Sequence, residues 1–141
     1  ALLAAQHGAD GVFISNHGGR QLDGAISPIE VLPAIRAAVG SRLALMVDGG
    51  IRRGSDVIKA LALGADMAFV GRAPLYGIAA GGEQGALHAI KLLSSEIDRV
   101  MALLGCPSIP ELNMDYLWHP DIDRTPSVAG NGADVLQVRA V

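Results

Sequence analysis

The sequence has few of the residues that define several large classes of protein. Cys106 is the one cysteine among 141 residues, so an internal disulfide is excluded, and no metal-ligand spacing surrounds it. Aromatic residues make up 4% of the chain and charged residues 18%, with scattered basic residues and a formal net charge of −3. This charge pattern argues against a nucleic-acid-binding protein. We predict that Cys106 is a structural residue in a reduced interior.

Long apolar runs and two common catalytic signatures are also missing. No run approaches the ~20 residues of a membrane-spanning helix. Cys and His do not cluster at metal-ligand spacing, and no Gly-x-Ser-x-Gly motif is present, so neither metal catalysis nor a serine triad is supported. The first residues look like a helix end, without an initiator Met or a basic leader, and we expect a piece of a longer polypeptide.

Alternating helices and buried strands are predicted from what the sequence does contain. Half of the residues are hydrophobic and 18 are glycine, a balance typical of a globular α/β protein. Residues 1–15 and 60–72 each run from an Ala/Leu-rich helix through Gly-Ala-Asp into a short apolar strand, and a third strand is predicted over 43–47. Helices are predicted over 28–39, 55–63 and about 83–104, with a capping box for a short helix at 108–112.

Each predicted strand is followed by a polar, glycine-rich loop: "SNHGGRQLD", "DGGIRRGSD" and "GRAPLYG". The carboxyl ends of parallel strands open onto one face, so the three loops should converge. The second and third carry glycines, arginines and a helix N-terminus near Ser55, which together favour a phosphate. The alternative is that Gly49, Gly50 and Gly71 only make tight turns beside solvated arginines.

His17 and Arg20 in the first loop suit a small hydroxy or keto acid. A histidine can take up a proton near neutral pH, and an arginine can hold a carboxylate through two hydrogen bonds. The alternative, a polar turn without chemistry, is about equally compatible with the spacing. His7, His88 and His119 are predicted to be surface residues.

The three loops, in this order and spacing, resemble the C-terminal part of the FMN-dependent α-hydroxy-acid oxidases and dehydrogenases. The resemblance covers residues 1–118 and rests above all on His-Gly-Gly-Arg-Gln-Leu-Asp. It implies an α/β fold made of strands 6 to 8, with their helices, of a (β/α)₈ TIM barrel. Residues 119–141 are expected to form a tail that lies at the surface or is disordered.

The resemblance also implies roles for individual residues. His17 matches the active-site base, Arg20 the arginine that binds the substrate carboxylate, and Ser15 a residue that contacts the flavin. The residues that match the segment around the FMN ribityl phosphate are Asp48, Gly49, Gly50, Ile51 and Arg52, and those that match the second half of the phosphate site are Gly71 and Arg72.

The implied activity is FMN-dependent oxidation of a small L-2-hydroxy acid, of the lactate, mandelate or glycolate type, to the 2-keto acid. The resemblance implies a homotetramer and leaves the electron acceptor open among oxygen, a quinone and a cytochrome. The lone cysteine favours a cytoplasmic location, with membrane association through a segment absent from this chain as the alternative. The first five strands of the barrel are absent from this chain. In some relatives a membrane-binding insert lies in that absent part.

Two other interpretations compete with this one. Barrels similar to IMP dehydrogenase or isopentenyl-diphosphate isomerase share "DGGIR"-type phosphate loops, although "HGGRQLD" counts against them. The chain could also be a fragment that is inactive by itself, because several residues of the family's active site lie outside it.

Overall fold

A computed structural model describes residues 1–118, and the predicted tail over 119–141, with His119, lies outside the described residues. Its centre is a parallel sheet in which β1 (Gly11–Ile14), β2 (Ala44–Val47) and β3 (Met67–Ala68) lie side by side in chain order. A helix precedes each strand, so the predicted alternation of helix and strand is confirmed.

Four α-helices accompany the sheet within the described residues, and the ends of α2 follow the predicted signals. Ser27 and Glu30 form the capping box at its start, where the Ser27 amide donates to Glu30 Oε2 at 3.3 Å, and the helix ends at Gly40, whose φ is +57°. The helices are α1 (Leu2–Gln6), α2 (Pro28–Val39), α3 (Gly54–Ala62) and α4 (Arg72–Leu104).

The fourth helix begins earlier than predicted. The sequence predicts a helix from about residue 83, whereas α4 starts at Arg72 and is broken at Gly81 and Gly82. Gly82 has φ +57° and ψ −140°, a conformation that only glycine adopts readily. Pro74 lies in the first turn of α4. Proline has no amide hydrogen to donate, and the first turn tolerates this because its amides have no partner inside the helix. The helix predicted at 108–112 is a single 3₁₀ turn, Ile109–Glu111.

Within residues 1–118, the core lies on one face of the sheet. Ile14, Leu45 and Val47 are buried against the helices, together with Leu32 and Val39 of α2. The opposite face carries Phe13, Met67 and Phe69, which are 47%, 57% and 42% exposed, with the two phenyl rings 4.9 Å apart. The sequence predicts strands that are buried on both faces of the sheet. Within residues 1–118, the helices cover one face and leave the other exposed.

Cys106 is buried beyond the end of α4, as predicted for a structural cysteine. It is 4% exposed, and its thiol donates to the Ser108 carbonyl at 3.3 Å. A side-chain hydrogen bond with Cys106 raises the pKa of Tyr116. Among helices in the described part of the chain, none has the length and apolarity needed to cross a membrane.

Candidate active site

The three strands end level with one another, which brings the loops after them to one edge of the sheet. Ile14 pairs with Val47, and Val47 with Ala68. The ladder continues one residue further, since the Asp48 amide donates to the Ile14 carbonyl at 3.3 Å and the Phe69 amide to the Val47 carbonyl at 2.8 Å. The following loops surround a cleft of about 800 Å³. Nine of the ten predicted site residues line it: His17, Arg20, Asp48, Gly49, Gly50, Ile51, Arg52, Gly71 and Arg72.

The loop after β1 holds His17 in an unusual backbone conformation. Its φ is +55°, and it is the sole non-glycine residue of the described chain with a positive φ. Gly18 and Gly19 follow with φ of +65° and +72°. A left-handed histidine is disfavoured, so the loop has to be held by its contacts. The His17 amide donates to Ser15 Oγ at 3.0 Å, and the Gly19 amide donates to the Asn16 carbonyl at 3.0 Å.

The segment is therefore a tight turn, as the alternative interpretation expects, and its His17 and Arg20 also line the cleft. Ser15 is the one predicted site residue that is not part of the lining. It lies at the base of the turn, where its hydroxyl accepts from His17. His7 and His88, predicted as surface residues, are exposed.

The loop after β2 combines open backbone with an unpaired carboxylate oxygen. Gly49 and Gly50 have φ of +87° and +79°, and a Cβ built at Gly50 meets nothing within 4 Å. Asp48 Oδ1 is buried and has no hydrogen-bond partner among the described residues. A buried acceptor of this kind calls for a donor, such as a ligand hydroxyl. The loop thus offers a ligand both close approach to the backbone and an acceptor.

The N-terminus of α3 is closed by carboxylates of the chain itself. The amides of Arg52 and Arg53 both donate to Asp56 Oδ2 at 2.9 Å. The Gly54 amide donates to Glu96 Oε2 of α4 at 2.7 Å. These three amides are already paired and two negative charges lie beside them, so they offer an anion no free donor.

The N-terminus of α4 is the helix end that opens into the cleft. Gly71, the residue before its first turn, receives no side-chain cap, and the first turn contains no acidic residue. Gly71, Arg72 and Ala73 line the cleft, and a Cβ built at Gly71 meets nothing within 4 Å. Unpaired amides and the positive end of the helix dipole favour an anion here.

Five further residues line the cleft: Gly18, Phe69, Ala73, Leu75 and Tyr76. Gly18 belongs to the first loop and Phe69 follows β3, whereas Ala73, Leu75 and Tyr76 were missed because they lie in the unpredicted start of α4. Pro74, acceptable in a first helical turn, and the spacing of Leu75 and Ile78 were the available signals.

Charge in the cleft favours negatively charged ligands. Three arginines, Arg20, Arg52 and Arg72, line it against one carboxylate, Asp48. Residues 1–118 contain no group of three or more His, Cys, Asp or Glu side chains that could hold a metal ion. The arrangement suits a phosphate between the second and third loops and a second anion beside His17.

Comparison with known proteins relates this geometry to one family. The profile described as "FMN-dependent dehydrogenase" matches residues 1–119. The chain is 53% identical over 121 residues to (S)-mandelate dehydrogenase of Pseudomonas putida, covering 86% of this chain and 30% of that protein. It is 48% identical over 117 residues to L-lactate oxidase of Nostoc sp., covering 83% and 32%.

Solved structures show the same similarity. An oxidized active mutant of (S)-mandelate dehydrogenase is 55% identical, with a TM-score of 0.75, over 79% of this chain and 31% of that one. The chain therefore spans about a third of the length of the relatives it matches.

Proposed function

The chain belongs to the FMN-dependent dehydrogenase family, and from that premise we propose that residues 1–118 supply strands 6 to 8 of a (β/α)₈ barrel that oxidises a small L-2-hydroxy acid. The substrate would be of the lactate, mandelate or glycolate type and the product the 2-keto acid. The observation that carries this proposal is the cleft, in which one histidine and three arginines converge from three consecutive strand ends.

The barrel is supported by the uncovered face of the sheet. Phe13, Met67 and Phe69 expose apolar surface there, although strands of a parallel sheet are normally buried on both faces. In a closed barrel this face would point into the interior and pack against residues of the other strands. The rest of the barrel is thus the first partner we propose for this chain.

The cleft fits FMN at both ends of its ribityl phosphate. Arg52 and Arg72, with the free amides at the start of α4, would hold the phosphate. Asp48 Oδ1, buried and unpaired, would accept a hydrogen bond from a ribityl hydroxyl. FMN, when bound, would supply the redox chemistry by accepting from the substrate two electrons and one of the two protons that its oxidation releases.

His17 and Arg20 would handle the substrate itself. Arg20 would hold its carboxylate through two charge-assisted hydrogen bonds, which also orient the hydroxyl-bearing carbon. His17 would take up a proton as the alcohol becomes a ketone. Ser15, which accepts from the His17 amide, keeps its hydroxyl proton free to donate to the flavin.

The proposed function is tested by reduction of the bound flavin. We expect the purified native gene product to show a flavin spectrum that glycolate, L-lactate or mandelate bleaches in the absence of oxygen. Bleaching by none of the three would contradict the proposed reaction. Absence of a flavin from freshly purified protein that also fails to take up added FMN would contradict the proposed cofactor.

Replacing Arg52 with alanine is expected to weaken FMN retention, because the phosphate loses a charged partner. We expect the affinity for FMN to fall by roughly 10- to 100-fold, the effect of one charge-assisted hydrogen bond. Affinity is measured by titrating the apoprotein with FMN and following flavin fluorescence.

Arg53→Ala provides a matched control for this change. Arg53 is the neighbouring arginine, but it is not among the residues that line the cleft, and its guanidinium lies 3.6 Å from the Glu96 carboxylate. Its replacement should leave the affinity for FMN within about threefold of the wild type, as for other exposed ion pairs. Equal losses in the two variants would show that general charge, and not Arg52, attracts the cofactor.

A further inference from the structure

The two segments of α4 touch at a pair of glycines. The break at Gly81 and Gly82 separates residues 72–80 from residues 83–104, and the two parts meet at Gly77 and Gly85. A Cβ built at Gly85 would overlap the Gly77 carbonyl oxygen, and one built at Gly77 would overlap the Gly85 carbonyl oxygen. Because the obstructing atoms are backbone, neither position has room for a side chain.

The second segment is anchored on α3. Glu96 accepts from the Gly54 amide at 2.7 Å, and Gly54 is buried so closely against α4 that an added Cβ would overlap the Ile97 amide nitrogen. These contacts fix residues 83–104 relative to the loop that carries Arg52. The position of the second segment is therefore set independently of the first.

The first segment meets the anchored second segment at Gly77 and Gly85. Six of its nine residues, 72–80, are exposed, and only Ala73, Pro74 and Gly77 are partly buried. Gly77 is thus a partly buried residue through which the first segment rests on the anchored second segment, at Gly85. Any displacement at this contact should move the first segment rather than the second.

We propose that the contact between Gly77 and Gly85 positions the N-terminus of α4 and thereby sets the affinity of the site for a phosphate group. Gly77 lies five residues after Arg72, about 7.5 Å along a helix. To relieve the overlap of an alanine at Gly85, the first segment has to shift by about 1 Å. The donor–acceptor distances of hydrogen bonds to a phosphate span a range of only about 0.5 Å, so such a shift would break them. The inference rests on the proposed function, and it makes Gly77 and Gly85 positioning residues.

The test compares FMN with riboflavin, which lacks the phosphate. In the apoprotein of the native gene product, we expect Gly85→Ala and Gly77→Ala each to lower the affinity for FMN by roughly 10- to 100-fold. The affinity for riboflavin should stay within about threefold, because the segment around Asp48 is untouched. Gly81→Ala is the control, since φ is −156° at Gly81 and a Cβ there meets nothing within 4 Å.

Two outcomes would overturn the inference. If both glycine variants keep the wild-type preference for FMN over riboflavin, the contact does not position the phosphate site. If both variants lose FMN and riboflavin equally, or lose the fold, the glycines serve general packing. A wild-type protein that binds FMN and riboflavin equally would refute the proposed phosphate site itself. This outcome is therefore distinct from one in which only the proposed role of the two glycines is refuted.

Discussion

Replacing His17 should slow reduction of the bound flavin by substrate about 10²- to 10⁴-fold, the range for loss of a general base. The flavin itself should stay bound, because the groups proposed to hold its phosphate and ribityl chain lie on the second and third loops of the cleft. The rate is measured by mixing oxidised protein with L-2-hydroxy acid anaerobically and following the loss of flavin absorbance.

The choice of replacement follows from the backbone at this position. His17 has φ +55°, where alanine is strained, whereas asparagine adopts left-handed conformations more readily. His17→Asn therefore removes the base with less disturbance of the turn than His17→Ala. Flavin reduction should be slow in both variants. His7→Ala is the matched control, because His7 is an exposed histidine outside the cleft. Reduction at the wild-type rate in His17→Asn would rule out His17 as the base.

Replacing Arg20 with alanine should raise the apparent dissociation constant of the substrate by roughly two to three orders of magnitude. The substrate carboxylate would then enter the cleft without its bidentate partner. The constant is obtained from the dependence of the flavin reduction rate on substrate concentration, and FMN retention should be unchanged. Arg20→Lys should recover part of the loss, since lysine keeps the charge but not the two-pronged geometry.

An uncharged substrate analogue separates binding of the carboxylate from damage to the site. The amide of the same 2-hydroxy acid carries no negative charge, so it gains little from Arg20. The wild type and Arg20→Ala should therefore bind this amide with affinities that agree within about threefold. The rates at which the amide reduces their flavin should agree equally well. A loss as large as that seen with the acid would show that Arg20 supports the loop and does not recognise the carboxylate.

Local patterns in the sequence were sufficient to locate most of the elements and the cleft. "GVFI" and "LALMV" form strands where predicted, and Ser27 with Glu30 starts α2. These signals act between residues that are near one another in the chain. The convergence of the loops was predictable as well, because parallel strands with helical crossovers must open their carboxyl ends onto one edge. Nine of ten predicted site residues meet there for that reason.

What the sequence by itself determined is thus the order of the elements, the identity of the loops and, through its family motifs, the chemistry that they carry. Only the tertiary structure decided which helix end is free for an anion. Glu96 lies 42 residues from Gly54 in the chain and pairs with its amide, while the start of α4 remains open. Contacts between residues so far apart depend on how helices pack, and no local pattern encodes them. The same holds for Gly77 and Gly85, whose close approach exists only because α4 bends between them.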